Sequence, residues 1–357
     1  MISVDPSPPP VFDGHNDVLL RLYRRDGRAP ETAFLEGGAA GHIDLPKARR
    51  GGLAGGLFAI FVPSGEDPGV ENVMVRPAYD IPLPVSLALA DARRATLHMA
   101  ALLFRLVRAS EGRVRLCRSA AEIDSCIADG ALATVLHLEG AEAIDPDFHF
   151  LDVLHEAGLR SLGLVWSRPN AFGHGVPFRF PSTPDIGPGL TELGRALVKE
   201  CNRRRILIDL SHLNEAGFWD VARLSDAPLV ATHSNAHTLS PHSRNLTDRQ
   251  LDAIRESGGL VGVNFATCFI RADGRKEADT SLGELIRHFD HLIERLGPDG
   301  VGFGSDFDGA TVPREIGDAS GLPGLIDAMR RHGYDQALLR KLTHENWLRI
   351  LKITWGA

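Results

Sequence analysis

"SLGELIRHFDHLIERLGPDGVGFGSDFDG" spans Ser281–Gly309, and its two halves obey different rules. In the first, Leu285, Phe289, Leu292, Ile293 and Leu296 recur at helical spacing, and Ser281 with Glu284 has the form of a capping box. In the second, Val301–Gly304 is a short apolar run followed at once by Asp306 and Asp308. A helix that turns through glycine into an apolar strand, with carboxylates at the strand's C-terminal end, is one unit of an alternating α/β fold.

The same alternation runs outward along the chain. Candidate strands are Val11–Asp13, Gly55–Val62, Ala131–Leu138, Ser161–Trp166, Arg205–Leu210, Leu229–Thr232, Leu260–Phe265 and Val301–Gly304. Most are short and apolar on both faces, as strands of a parallel sheet are. Helices fall between them. Pro84–Ala109 reads as a long helix with Leu87, Ala90, Leu97, Leu102 and Leu106 at three- and four-residue spacing. "TDRQLDAIRESGG" opens with a Thr247–Gln250 capping box and stops at Gly258. Asp335 is placed to cap the last helical region, which ends near Thr354.

Eight such units predict a single (β/α)8 TIM barrel covering residues 1–357. The alternative is a doubly wound sheet. It lacks a glycine-rich phosphate fingerprint after its first strand, because "GGLAGG" at Gly51–Gly56 precedes a strand instead of opening a helix. The longest irregular stretches, Pro63–Pro84 and Asn170–Gly189, are expected as loops over the barrel mouth.

Composition narrows the function. The 357 residues are 43% hydrophobic and 24% charged, with net charge −7. Neither that charge nor the sequence pI near 6.1 offers a footprint for nucleic acid or an anionic membrane. "MISVDPSPPP" lacks the basic and apolar regions of a signal peptide, and no apolar run is long enough to span a bilayer. Cys117, Cys126, Cys201 and Cys268 are scattered, which reads as reduced, mostly buried thiols in a cytoplasmic protein. Fifteen histidines are a weak pointer to metal chemistry.

A barrel puts its functional residues at the C-terminal ends of its strands. Strand one ends in "DGHND" with His15 and Asp17, and strand three in "HLEG" with Glu139. Strand five ends in "DLSH" with His212, strand six in "ATHSN" with His233, and strand eight in "GFGSDFDG" with Asp306 and Asp308. Any one of these can belong to an ordinary polar loop. Together they are nitrogen and oxygen donors aimed at one rim, a ligand set for two divalent cations. Donors without thiolate suit zinc, with manganese or cobalt as alternatives. Paired cations of that kind serve hydrolysis.

The stretches "DGHND", "HLEGAEAI", "DLSH", "THSNAHTLSPHSRNLTD", "GVNF" and "GFGSDFDGA" follow one another from Asp13 to Ala310. In order and content the chain resembles the renal (membrane) dipeptidase family, peptidase family M19 of the amidohydrolase superfamily, in its bacterial form. The resemblance implies a zinc-dependent dipeptidase with two zinc ions per chain, acting on L,L- or L,D-dipeptides through a metal-bridging hydroxide. Carried over by position, His15, Asp17 and a bridging Glu139 hold one zinc, and Glu139, His212 and His233 the other. Asp306 is the implied acid/base, and Arg244 in "HSRNLTD" the implied ligand for the substrate's free carboxylate. A homodimer is the family expectation.

The family pattern also marks a departure. Renal-type members carry a histidine at the end of strand four that contacts the substrate carbonyl. Here "LGLVWSRPNAFGHG" puts Trp166 there, a substrate-facing position without an imidazole. Neighbouring polar residues take lesser parts. His137 shares strand parity with Glu139 but is not a ligand in the family, and His237 and His242 read as loop residues. Asp13 is expected just behind His15, and Asp308 as ordering its loop. Gly302 and Gly304 are expected to leave room under the site. Two rival functions remain: another amidohydrolase, such as a lactonase, deaminase or N-acyl amino acid hydrolase, and a metal-binding barrel without catalysis.

Overall fold

The computed structural model describes residues 8–25, 29–64 and 73–356. Most of the N-terminal stretch, and the part of the Pro63–Pro84 loop at 65–72, lie outside the described residues. Eight parallel strands form a closed ring: β1 (Val11–Asn16), β2 (Leu53–Phe61), β3 (Leu132–Glu139), β4 (Leu159–Gly163), β5 (Leu207–Asp209), β6 (Val230–Ser234), β7 (Leu260–Val263) and β8 (Val301–Phe303). Each pairs with the next in sequence, and β8 returns to β1 through Asp13 and Phe303. The short strand Val114–Leu116 pairs with the start of β3, below β4. Every residue of β3 is buried, as a strand covered on both faces must be.

Helices wrap the ring because each carries one apolar stripe. In Leu282–Leu296 the buried residues are Leu282, Leu285, Ile286, His288, Phe289, Leu292 and Leu296. The Thr247–Gln250 capping box forms, and Asp335 caps its helix by accepting from the Leu338 N–H. The Ser281 box does not form. Ser281 is the N-cap, but its side chain makes no capping bond, and Glu284 pairs with Arg287 at 2.9 Å. The long helix begins at Leu89 instead of Pro84, after Ala88 in extended backbone. Residues 81–88 run irregularly, with the Ser86 hydroxyl tied to the Pro169 carbonyl at 2.8 Å.

The room expected under the site is occupied. Trp347, in the last helix Asn346–Trp355, is fully buried, and its indole N–H donates to the Phe303 carbonyl at 2.8 Å. A Cβ at Gly302 would lie 2.6 Å from the indole nitrogen, so glycine is required there for the ring to enter. Trp347 thus closes the barrel interior at that level, and truncating such a side chain to alanine costs about 3–5 kcal/mol.

At the mouth, the two expected loops are not independent. Tyr79–Asp80 pairs antiparallel with Arg179–Phe180. Below that ribbon Met74, Tyr79, Phe180, Ala266, Cys268 and Phe269 form a small apolar cluster. All four cysteines are buried. No helix among the described residues is long and apolar enough to cross a membrane.

Candidate active site

The ends of β1 and β8 are knitted together, and this positions three of the expected residues. Asp306 N–H donates to the His15 carbonyl at 3.1 Å, and Asp17 N–H to the Phe307 carbonyl at 2.8 Å. To make this crossing the chain takes positive φ at Asp306 (59°) and Asp308 (68°). Non-glycine residues seldom adopt that region, and they cluster in it at functional sites. Asp13 clamps the same turn by accepting the Ser305 N–H at 2.7 Å and its hydroxyl at 2.8 Å. Asp308 accepts from the His42 N–H at 2.6 Å and pairs with Arg21 at 3.0 Å, the loop-ordering part expected of it. Gly309 keeps two carboxylates close: a Cβ there would fall 2.1 Å from Asp17 Oδ2 and 2.6 Å from Asp306 Oδ1.

Glu139, the last residue of β3, faces two ways. Its Oε2 lies 3.6 Å from His15 Nε2, which is also 3.5 Å from Asp17 Oδ2. Its Oε1 lies 3.0 Å from His212 Nε2 and 3.7 Å from His233 Nε2. One carboxylate therefore touches both halves of the donor set. The two imidazole nitrogens on the Oε1 side are 3.1 Å apart. Behind them, His212 Nδ1 meets the Ser167 hydroxyl at 2.8 Å, and His233 Nδ1 meets the Thr232 hydroxyl at 2.8 Å. His212 holds its place with φ 67°.

The electrostatics call for a cation. Burial lowers His212 and His233 well below the usual imidazole range, which keeps them neutral and able to donate a lone pair. Burial raises Glu139 well above the carboxylate range, and Asp17 and Asp306 add to it. Burial also opposes charge on His15, yet Glu139, Asp17 and Asp306 together push it up to about 10. The one group here that gains charge is the one among the carboxylates. Both ring nitrogens of His15 are buried without a hydrogen-bond partner. Ligand atoms of His15, Glu139 and His233 lie within 4.8 Å of one another, as do those of His15, Asp17 and Asp306. Orphaned imidazole nitrogens, neutral histidines and crowded carboxylates fit divalent cations with nitrogen and oxygen ligands.

Arg244 is buried beside this set. Its Nη2 donates to the His233 carbonyl at 3.2 Å, its Nε has no partner, and its guanidinium lies 5.3 Å from the Phe269 ring centroid. Among the described residues no carboxylate forms an ion pair with it. His242 is more than a loop residue. It is fully buried, and its Nδ1 accepts the Arg244 backbone N–H at 3.0 Å. The His237 side chain, by contrast, meets the Ser182 carbonyl at 2.8 Å, in the loop.

Trp166 lies three residues past the end of β4, not within the strand. Its half-buried ring packs 4.8 Å from Phe61, 5.6 Å from Phe178 and 5.8 Å from His212, so it forms part of an aromatic wall over the histidines. Arg168 backs this wall. It is fully buried, 5.6 Å from the Trp166 ring and paired with Glu142 at 2.9 Å. His137 bonds Ser161 at 2.8 Å and sits 5.5 Å from His15, beneath the expected ligands.

Sequence reasoning missed several polar residues that hold the expected ones. Asn264 donates its amide to Asp306 Oδ2 at 2.8 Å. It stands just past β7 in "GVNF", a stretch that carried the resemblance while Asn264 itself was read as part of the strand Leu260–Phe265. Ser167, Thr232, Asp209 and Arg168 carried no signal of their own, because their roles depend on which strands adjoin.

A sequence model of the membrane dipeptidase family (peptidase family M19) matches residues 7–355. A crystal structure described as dipeptidase AC, a metallo peptidase of family M19, is 58% identical and superposes with a TM-score of 0.96 over 98% of this chain and all of that one. A metallo peptidase from Rhodobacter sphaeroides, solved with a phosphinate mimic of the dipeptide L-Ala-D-Ala, has the same identity, TM-score and coverage. An uncharacterized protein encoded in the pqqA 5' region of Klebsiella pneumoniae is 53% identical over 71% of this chain and 94% of its own length.

Proposed function

We propose that this chain, which belongs to the membrane dipeptidase family (peptidase family M19), is a metallo-dipeptidase that uses two zinc ions to hydrolyse L,L- or L,D-dipeptides. Its 58% identity to metallo peptidases of that family, one of them solved with a dipeptide mimic, supports the metal dependence and the dipeptide class. His15, Asp17 and Glu139 would hold one ion, and Glu139, His212 and His233 the other. Such paired ions, when bound, would supply an acidified bridging water near neutral pH and polarise the scissile carbonyl.

The chain's own residues account for the remaining steps. Asp306 takes a proton from the attacking water and returns it to the leaving amine. Asn264 donates to Asp306 Oδ2, which leaves Oδ1 to carry the proton. Arg244 receives the substrate's C-terminal carboxylate, for which the guanidinium's fork is suited. The Phe61–Trp166–Phe178 wall stands beside His212.

Arg244 is the observation that carries the dipeptide reading. It is a buried guanidinium with no carboxylate partner among the described residues, beside a hydrolytic donor set. Burying a charge is costly, and Asp306, Glu139 and Asp209 support this one only from beyond ion-pair contact, which leaves its fork open to an anionic ligand. The test is turnover of a panel: free dipeptides, C-terminally amidated dipeptides, N-acyl amino acids and lactones, each with and without chelator. Free dipeptides should be cleaved fastest, and chelator should abolish it. Preference for a lactone or an N-acyl amino acid, or turnover that chelator leaves intact, overturns the proposal.

A further inference from the structure

Thr232 stands between a buried carboxylate and a candidate metal ligand. Its Oγ1 lies 2.6 Å from Asp209 Oδ2 and 2.8 Å from His233 Nδ1. Asp209 is buried, and its Oδ1 accepts the backbone N–H groups of Ser211 (2.9 Å) and Thr232 (2.8 Å). A carboxylate can only accept, so the hydroxyl donates its one hydrogen to Oδ2. It is then left to accept from His233. This places the single proton of a neutral His233 on Nδ1 and leaves the lone pair on Nε2, the atom that faces Glu139. His137 does not compete, since its Nε2 is 3.7 Å from Asp209 Oδ2, beyond hydrogen-bond range.

We propose that Asp209, acting through the Thr232 hydroxyl, is a positioning residue that fixes His233 as the Nδ1–H tautomer and so readies Nε2 to bind a metal ion. This rests on the reading of His233 as a ligand and deepens it. Partners behind a ligating histidine fix its ring and tautomer, and their loss costs about 10–100-fold in metal affinity.

The geometry makes Asp209→Asn an informative change. The amide oxygen stays with the two backbone N–H groups, so the NH2 turns toward Thr232. The hydroxyl then accepts from the amide and donates to His233 Nδ1, which forces the proton onto Nε2. Thr232→Val deletes the hydroxyl at nearly constant shape, and Thr232→Ser restores it.

The experiment is nitrogen-15 NMR of histidine-labelled, metal-free full-length protein, paired with zinc competition against a chromophoric chelator. Wild type and Thr232→Ser should show His233 as Nδ1–H, and Asp209→Asn as Nε2–H. Zinc should bind about 10–100-fold more weakly to Asp209→Asn and Thr232→Val than to wild type or Thr232→Ser. A folded Asp209→Asn that keeps the Nδ1–H tautomer overturns the relay. A switched tautomer with wild-type zinc affinity overturns the ligand role of His233 instead, so the two failures are told apart.

Discussion

The Arg244 guanidinium is stacked 5.3 Å from the ring centroid of Phe269, buried, bonded to the His233 carbonyl and with no carboxylate of the described residues in ion-pair contact. Because a substrate carboxylate would meet that charge in ground and transition states alike, Arg244→Ala should raise KM for dipeptides with a smaller change in kcat. The expected loss in kcat/KM is about 10²-fold or more, from roughly 3 kcal/mol for a charge-assisted bidentate contact. Steady-state kinetics on free and amidated dipeptides check it. Wild type should prefer the free form, and Arg244→Ala should lose that preference.

Asp306→Asn keeps the shape and cannot shuttle a proton. Its kcat should fall by about 10²–10⁴-fold, the usual contribution of a general acid–base, while dipeptide binding changes little. Zinc content read on the same sample separates the two roles open to Asp306, which lies within ligand distance of His15 and Asp17. Full zinc with lost turnover supports the proton role, and lost zinc makes it a ligand.

Trp166→Phe keeps a ring and removes the one donor. The indole packs against Phe61, Phe178 and His212, which favours a wall over an oxyanion donor. The variant should therefore lose less than about tenfold in kcat, under roughly 1.4 kcal/mol. A loss of about 10²–10³, typical of an oxyanion donor, with KM and zinc content unchanged, would make Trp166 catalytic.

His288 gives stability a pH dependence away from the site. It bridges the Ala236 N–H (3.2 Å) and the Ile270 carbonyl (3.0 Å), and burial pushes its imidazole down to about 4. Below about 6.5 the unfolded chain takes up a proton that the folded chain refuses until about 4, so stability falls as pH drops through that window. The upper bound is about 3 kcal/mol. Denaturant titrations from pH 7 to pH 4 should show a shallower acid loss in His288→Gln than in wild type. Parallel profiles would contradict the assignment.

What the sequence made legible follows from what a barrel requires. Strands buried on both faces advertise themselves as apolar runs, and the strand-end rule then located His15, Asp17, Glu139, His212, His233 and Asp306 without any contact being known. The helix start at Leu89 was hidden because Leu87 keeps the helical spacing, while the segment ahead is held elsewhere by the Ser86 bond to the Pro169 carbonyl. The Trp347 plug was hidden because glycine records that something comes close, not what comes. Asp209 and Thr232 were hidden for the same reason. Their meaning lies in a hydrogen bond between neighbouring strands, and a single strand's pattern does not contain it.

Glu139 is the carboxylate that reaches both halves of the donor set, through Oε2 to His15 and Oε1 to His212. The direct test strips the chain with chelator, restores zinc in measured equivalents, and follows hydrolysis of a free dipeptide. Wild-type activity should be absent without metal and reach its plateau at about two equivalents per chain, while Glu139→Ala recovers none at any stoichiometry. Full turnover by the stripped enzyme, a plateau at one equivalent, or a wild-type titration by Glu139→Ala would contradict the two-metal dipeptidase.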